Sequence, residues 1–205
     1  MNKTLNIGID IDNTITKLYE HEIIRGREFC EEFNLPTNNF NPLGSNVKEM
    51  YSIPDDLYQI YMDRYFCDNV RNRPPRDFAV EVINRLSLNN IIHIVTARDA
   101  NYPIYAKYSG EEMVKDTNEY FNKYQIPHHL IHFSSQDKCK VCKENNINLI
   151  IEDDPKHIEE CANGGIIVIV ISLPYNQVMR QLPNTIFVDS WIEIPHIIDS
   201  IEHLL

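Results

Sequence analysis

Six short, largely apolar runs recur along the chain, and stretches with helical periodicity lie between and after the later ones. The runs cover residues 5–9, 91–95, 130–133, 149–151, 166–171 and 186–188. Strands that are apolar at nearly every position are buried on both faces, as in a parallel sheet covered by helices. The alternation therefore predicts an α/β fold with a Rossmann-like parallel sheet and helices on both of its faces.

Helical patterns occupy residues 77–87, 110–124, 138–145, 155–162 and 191–204. One interval breaks the rhythm, because roughly 80 residues without a strand pattern separate the first two strands. This interval contains helical patterns at 18–33 and 55–68, and it is far longer than a usual βα connection. We predict a small helical cap at residues 18–74, inserted into an α/β core made of residues 1–17 and 75–205.

The charge balance restricts the partners of this chain. The 19 lysines and arginines against 30 aspartates and glutamates give a formal net charge of −11. Such an excess of acid argues against binding to a nucleic-acid polymer or to an anionic membrane surface, since both need a basic face. No secretory signal pattern is present, and the apolar run IIVIVISL is too short to span a bilayer. We therefore expect a cytoplasmic protein whose five cysteines are reduced.

Polar and charged residues follow several of the predicted strands, at positions that a parallel sheet brings to one edge. They are Asp10, Asp12, Thr96, Arg98, Lys138, Glu152, Asp153 and Asp154, with Ala97 between Thr96 and Arg98. Taken singly, each has an ordinary alternative, because an aspartate can cap a helix and a lysine can begin a solvated one. Together, the converging carboxylates repel each other unless a cation lies among them. Short acids that supply only oxygen ligands suit Mg²⁺.

Phosphoryl transfer fits this combination of acids, a hydroxyl and a lysine. The reaction needs charge neutralised on the phosphoryl oxygens and an in-line nucleophile. A carboxylate can be that nucleophile and form an aspartyl-phosphate, while an acid two residues later protonates the leaving oxygen. The chain contains no P-loop motif, which argues against a P-loop nucleotide hydrolase. It also contains no GxSxG motif, which argues against an esterase.

In order and identity, these residues resemble the four motifs of the haloacid dehalogenase-like hydrolase superfamily. The matching positions are Asp10-Ile-Asp12-Asn13-Thr14, Thr96, Lys138 and the acids at 152–154, with a cap insertion after the first motif. The segments IHIVTAR, YQIPHHLIHF, IIEDD and LPYN resemble more narrowly the cytosolic 5′(3′)-deoxyribonucleotidases and their bacterial nucleotidase-like relatives. The resemblance covers nearly the whole chain.

The resemblance implies a role for each matching residue. Asp10 would be the nucleophile and a Mg²⁺ ligand. Asp12 would be the general acid and base and would offer its backbone carbonyl to the metal. Thr96 and the Ala97 amide would hold the transferred phosphoryl group, and Lys138 would neutralise its charge.

Two residue assignments, those of the late Mg²⁺ ligand and of Arg98, have alternatives. The late Mg²⁺ ligand is assigned to Asp153, with Glu152 and Asp154 as the alternatives one residue away. Arg98 is a candidate for contacting the substrate phosphate, and its alternative is a surface salt bridge.

The expected function is that of a Mg²⁺-dependent phosphomonoesterase acting on a small phosphorylated substrate, a nucleoside monophosphate in the first instance. The alternative is a phosphatase for another small metabolite such as a sugar phosphate. A phosphoacceptor signalling domain fits less well, because its phosphorylated aspartate follows the third strand, where this chain has serines. A homodimer is compatible with the sequence.

Overall fold

A single six-stranded parallel sheet organises the computed structural model, which describes residues 4–99, 108–133 and 137–201. The strands are β1 (Asn6–Ile9), β2 (Ile91–Thr96), β3 (Leu130–Phe133), β4 (Leu149–Glu152), β5 (Ile167–Ile171) and β6 (Thr185–Val188). Their order across the sheet is β3-β2-β1-β4-β5-β6, and every neighbouring pair is parallel. The predicted α/β fold class is confirmed, and each predicted strand is present.

Eight α-helices surround or extend this sheet in the described part of the chain. They are α1 (Leu18–Glu32), α2 (Val47–Tyr51), α3 (Asp55–Asn72), α4 (Ala79–Ser87), α5 (Gly110–Tyr124), α6 (Lys138–Glu144), α7 (Pro155–Asn163) and α8 (Ile194–Ile201). Two 3₁₀ segments, Pro174–Gln181 and Trp191–Glu193, follow β5 and β6. The helical pattern at 191–204 thus begins as a 3₁₀ turn, and its last residues lie outside the described ranges. Within those ranges, no helix has both the length and the apolarity that a membrane span requires.

Both faces of the sheet are buried, which explains the uninterrupted apolar strands. In β4, Leu149 and Ile151 pack in the cluster that includes α4, α5 and α8, whereas Ile150 packs with α6 and α7 on the other face. Successive strand residues point to opposite faces, so both layers of helices draw apolar contacts from the same strand. Burying one such aliphatic side chain contributes about 1.5–3 kcal/mol.

Helices α1, α2 and α3 form a second cluster, rich in aromatic side chains, which also includes Leu173 and Tyr175 after β5. Phe29 and Tyr61 meet edge to face with ring centroids 5.3 Å apart, and both are fully buried with Met50 and Tyr51. These aromatic side chains, which the sequence places in the cap, are therefore core residues of the helical cluster.

The chain leaves the sheet region and returns to it at neighbouring positions. Thr16 and Pro75 form an isolated antiparallel bridge, and the Lys17 amide donates to the Pro74 carbonyl at 3.1 Å. The chain thus passes out of and back into the sheet region at residues 16–17 and 74–75. The division into two domains stays a prediction.

Gly26 in α1 tests the packing of this helical cluster. A Cβ atom at this position would lie 2.6 Å from atoms of both Tyr51 and Val47. Replacing a helical glycine by alanine normally stabilises a helix by about 0.5–1 kcal/mol, but overpacking a well-filled core costs about 1–3 kcal/mol. We expect Gly26→Ala to lower the free energy of unfolding in urea. The exposed Glu28→Ala on the same helix is the control, and a Gly26→Ala protein more stable than wild type would contradict the packing.

Candidate active site

A tight turn directly after β1 places the first two acids of the site. The Asp10 amide still donates to the Ile151 carbonyl, at 3.0 Å, and the chain then makes one helical turn in which the Ile11 carbonyl accepts from Ile15 and Thr16. Asn13 has a φ of 61° in this turn, a left-handed conformation that asparagine tolerates better than most residues.

The Asn13 side chain also connects this turn to the first helix. Its Oδ1 atom accepts a hydrogen bond of 2.6 Å from the Tyr19 amide in the first turn of α1, and its carbonyl accepts from Arg76 Nε at 2.6 Å. Sequence reasoning gave this residue no role beyond fitting the turn. In the structure, Asn13 connects the end of β1 to Tyr19, where the chain enters the helical cluster, and to Arg76, where it returns to the sheet region.

Lys138 lies between two buried carboxylates. Its Nζ donates to Asp10 Oδ1 at 2.5 Å and to Glu152 Oε2 at 2.7 Å, and its side chain is only 2% exposed. Burial opposes the ammonium form, but the charges of Asp10 and Glu152 outweigh it and raise the pKa of Lys138. An ammonium group in the first turn of a helix is opposed by the helix dipole, so the two carboxylates are what hold it there.

Glu152 uses both of its carboxylate oxygens within the protein. While Oε2 accepts from Lys138, Oε1 accepts from the amides of Asp153 and Asp154 at 3.0 and 3.1 Å. Glu152 is fully buried at the end of β4. Its contacts are those of a residue that positions Lys138 and shapes the following turn.

Asp153 is held by two hydroxyl groups. Thr14 Oγ1 donates to its Oδ1 at 2.8 Å, and the Tyr175 hydroxyl makes a short hydrogen bond to its Oδ2. Asn176 Nδ2 donates to its backbone carbonyl at 2.9 Å. Tyr175 and Asn176 belong to the LPYN segment, which contributed to the resemblance but received no role from the sequence.

Asp154 has a structural role in this arrangement. Its Oδ1 accepts from the amides of Lys156 and His157 at 2.9 and 3.2 Å, so it is the N-cap of α7. The capping alternative that applies to any acid after a strand thus describes this member of the trio.

Arg98 contacts Asp12 rather than open solvent. Its Nε and Nη2 atoms donate to the two Asp12 oxygens at 3.0 and 2.7 Å, and Nη1 donates to Thr117 Oγ1 at 3.1 Å. Thr96 lies beside it, fully buried, with Oγ1 accepting from the Arg98 amide at 3.2 Å. Arg98 is 5% exposed, so the surface alternative does not describe it, and its contact with a substrate phosphate stays a prediction.

The residues at the sheet edge fit a divalent cation. Asp10, Glu152 and Asp153 are all buried, and one carboxylate oxygen from each lies within 4.8 Å of the others. Three carboxylates against the single ammonium of Lys138 leave a formal charge of −2 in this buried group. Oxygen-only donors of this kind are the ligands that Mg²⁺ prefers. Both Glu152 and Asp153 accept hydrogen bonds from protein donors on both of their carboxylate oxygens, so the assignment of the late ligand to Asp153 stays a prediction.

Burial and mutual repulsion act on the protonation of these acids. Burial raises the pKa of Asp10 to about 7; Lys138 opposes this rise, and Glu152 and Asp12 add to it. Burial also raises the pKa of Asp153, and the charges of Glu152 and Asp10 act in the same direction. A cation among them would favour the ionised forms.

A small cavity opens from Asp12 toward the helical cluster. It has a volume of about 190 Å³, and the residues that line it include Asp12, Arg98, Glu22 of α1 and Asn69 of α3. Glu22 is 93% buried, and burial raises its pKa to about 7, partly opposed by Arg73 and a hydrogen bond from the Val47 amide. Nothing in the sequence singles out Glu22, because it is one acid within an ordinary helical pattern.

The raised pKa of Glu22 predicts a pH-dependent loss of stability. The folded protein binds this proton more tightly than the unfolded chain, so stability falls as the pH rises from about 4.5 to about 7. We expect Glu22→Gln to match wild type in free energy of unfolding near pH 5 and to exceed it near pH 8, by up to about 3 kcal/mol. Urea unfolding at both pH values measures this difference. An equal difference at the two pH values would contradict a buried, costly charge.

The chain is similar over nearly its whole length to a nucleotidase of Clostridium acetobutylicum. The two sequences are 27% identical over 199 residues, which cover 96% of this chain and 95% of the relative. No protein-family model matches the sequence.

Solved structures share the fold. A haloacid dehalogenase-like family hydrolase from Streptococcus pneumoniae superposes with a TM-score of 0.63 at 15% identity, covering 96% of this chain and 99% of that one. CbbY of Rhodobacter sphaeroides, a D10N mutant in complex with xylulose 1,5-bisphosphate, has a TM-score of 0.55 at 11% identity, covering 93% and 96%. The chain has the fold of the haloacid dehalogenase-like hydrolases, which confirms at the level of fold the resemblance seen in its motifs.

Proposed function

We propose that this protein is a Mg²⁺-dependent phosphomonoesterase that works through an aspartyl-phosphate on Asp10, with (deoxy)nucleoside monophosphates as its substrates. The observation that carries the proposal is the contact of the buried Asp10 carboxylate with Lys138, beside the carboxylates of Glu152 and Asp153. The similarity to a nucleotidase along 96% of the chain supports the choice of substrate.

Asp10 is suited to nucleophilic attack because one of its oxygens is already held. Lys138 fixes Oδ1, and Oδ2 attacks the phosphorus atom. The new bond joins Asp10 to phosphorus while the ester bond to the leaving oxygen breaks. Lys138, the Thr96 hydroxyl and the Ala97 amide would hold the phosphoryl oxygens during this step.

Asp12 is the general acid and base in this proposal. It protonates the leaving oxygen in the first half of the reaction and removes a proton from the attacking water in the second. Arg98 donates to both Asp12 oxygens at 2.7 and 3.0 Å, which fixes the orientation of this carboxylate beside the cavity.

Asp10, Asp153 and the Asp12 carbonyl would hold Mg²⁺, which when bound neutralises charge on the phosphoryl oxygens. Thr14 and Tyr175 orient Asp153 by donating to its two oxygens. Donors of this kind around a ligand are a usual support for metal binding.

A phosphatase for a sugar phosphate is the second candidate. The structural neighbour CbbY holds xylulose 1,5-bisphosphate, and it shares the fold. The cavity beside Asp12 argues against a polyhydroxylated substrate, because its walls include the apolar side chains of Leu18, Met62, Phe66 and Met113. Cytoplasmic location and a homodimer stay predictions from the sequence.

A phosphate-release panel tests the reaction and its substrate together. We expect nucleoside 5′-monophosphates to be hydrolysed faster than sugar phosphates when Mg²⁺ is present. Chelation by EDTA should abolish release, because the buried acids then lack their counter-charge, and added Mg²⁺ should restore it. Turnover of sugar phosphates without turnover of nucleotides would make the nucleotidase proposal wrong.

Asp10→Asn tests the nucleophile. The amide cannot form the acyl phosphate, so we expect phosphate release to fall by at least about a thousandfold while the fold is kept. Asp63→Asn, an exposed position on α3, is the matched control and should retain activity. Activity in Asp10→Asn close to that of wild type would remove Asp10 from this role.

Arg98→Lys tests whether the arginine positions Asp12. Lysine keeps the charge but cannot bind both carboxylate oxygens in parallel. We expect kcat to fall about ten- to a hundredfold for alkyl phosphates, whose leaving oxygen needs a proton. For aryl phosphates with acidic leaving groups the loss should be much smaller. Equal losses for both classes would indicate a purely structural role.

A further inference from the structure

The cavity beside Asp12 lies where the leaving alcohol of the proposed reaction would sit. Asp12 forms part of its wall, and Asp12 is the residue proposed to protonate the leaving oxygen. The group attached to that oxygen therefore occupies this cavity. This step rests on the proposed function.

The cavity is large enough for a small organic group. Its volume of about 190 Å³ corresponds to about six water molecules at their share of liquid volume. Met62 and Phe66 of α3 and Met113 of α5 form apolar parts of its wall. Apolar side chains of this kind favour a leaving group with an apolar or aromatic face.

Two of the charged side chains on the cavity wall, Arg98 and Asp12, pair with each other. Arg98 contributes the cation, and three of its nitrogens already donate to Asp12 and Thr117. Glu22 contributes a second carboxylate that faces the same space. Arg25 is paired with the carboxylate of Asp68, whereas Arg73 binds the neutral Asn69, and its charge partly opposes that of Glu22.

The Glu22 carboxylate is thus a buried hydrogen-bond acceptor with spare capacity. The Val47 amide donates to it, and a carboxylate can accept several further bonds. A ligand that offers a hydroxyl or N–H donor would satisfy it, whereas an anionic ligand would meet a like charge that Arg73 only partly compensates, in a poorly hydrated space.

We infer that Glu22 determines specificity, favouring phosphomonoesters whose leaving group is uncharged and donates a hydrogen bond, as a nucleoside does. It disfavours those whose leaving group carries a carboxylate or a second phosphate. The bisphosphate bound by the neighbour CbbY belongs to the disfavoured class.

A matched pair of small substrates tests the charge directly. The leaving group of 2-hydroxyethyl phosphate ends in a hydroxyl, and that of 2-phosphoglycolate ends in a carboxylate. The kcat/KM of wild type should favour 2-hydroxyethyl phosphate by about tenfold or more near pH 8, where Glu22 is ionised. In Glu22→Gln, which keeps the shape and removes the charge, the preference should fall by about tenfold. Glu28→Gln, an exposed position on the same helix, should leave it unchanged.

The outcomes separate this inference from the proposed function. Equal kcat/KM values for the two substrates in wild type, or an unchanged preference in Glu22→Gln, would overturn the role of Glu22. Calorimetry of Asp10→Asn with thymidine 5′-monophosphate and thymidine 3′,5′-bisphosphate makes the same comparison without turnover. Tighter binding of the monophosphate by Asp10→Asn, together with a wild type that releases no phosphate from any substrate, would contradict the proposed reaction and support the inference. Equal affinities for the monophosphate and the bisphosphate would overturn the role of Glu22 without contradicting the proposed reaction.

Discussion

The buried ammonium of Lys138 is the interaction on which the sheet edge depends. It contacts Asp10 at the end of β1 and Glu152 at the end of β4, and these strands are neighbours in the sheet. Without it, three carboxylates would be buried against each other, and breaking such a group by removing one partner typically costs 3–5 kcal/mol. The same contact orients the Asp10 carboxylate. The hydrogen bond from Lys138 to Asp10 therefore contributes both to stability and to the proposed chemistry.

Asp10 and Asp12 are two residues apart, yet they have different surroundings. Asp10 is buried and meets Lys138, whereas the Asp12 side chain is 38% exposed, meets Arg98 and borders the cavity. Two acids in distinct environments can carry different protonation states, as a nucleophile and a general acid must. The turn that follows them contains Asn13 in a left-handed backbone conformation.

The sheet and most of the site could be predicted because they follow from short-range patterns and from parallel topology. Apolar strands mark the sheet, and residues at their carboxyl ends, such as Asp10 and Lys138, must meet at one edge. Contacts that depend on side-chain direction could not be predicted: the pairing of Arg98 with Asp12, the capping role of Asp154 and the hydroxyl of Tyr175 on Asp153. Glu22 was missed because only the packing of α1 against α3 turns it toward the cavity.

Chemical trapping of the phosphorylated residue tests the central claim most directly. Turnover of a nucleoside monophosphate with Mg²⁺ would be quenched in acid, reduced with borohydride and mapped by peptide mass spectrometry. Borohydride reduces an aspartyl-phosphate to homoserine, so the account predicts homoserine at position 10 in wild type and its absence without substrate. Trapping at another residue, or active turnover without any modified residue, would contradict Asp10 as the nucleophile.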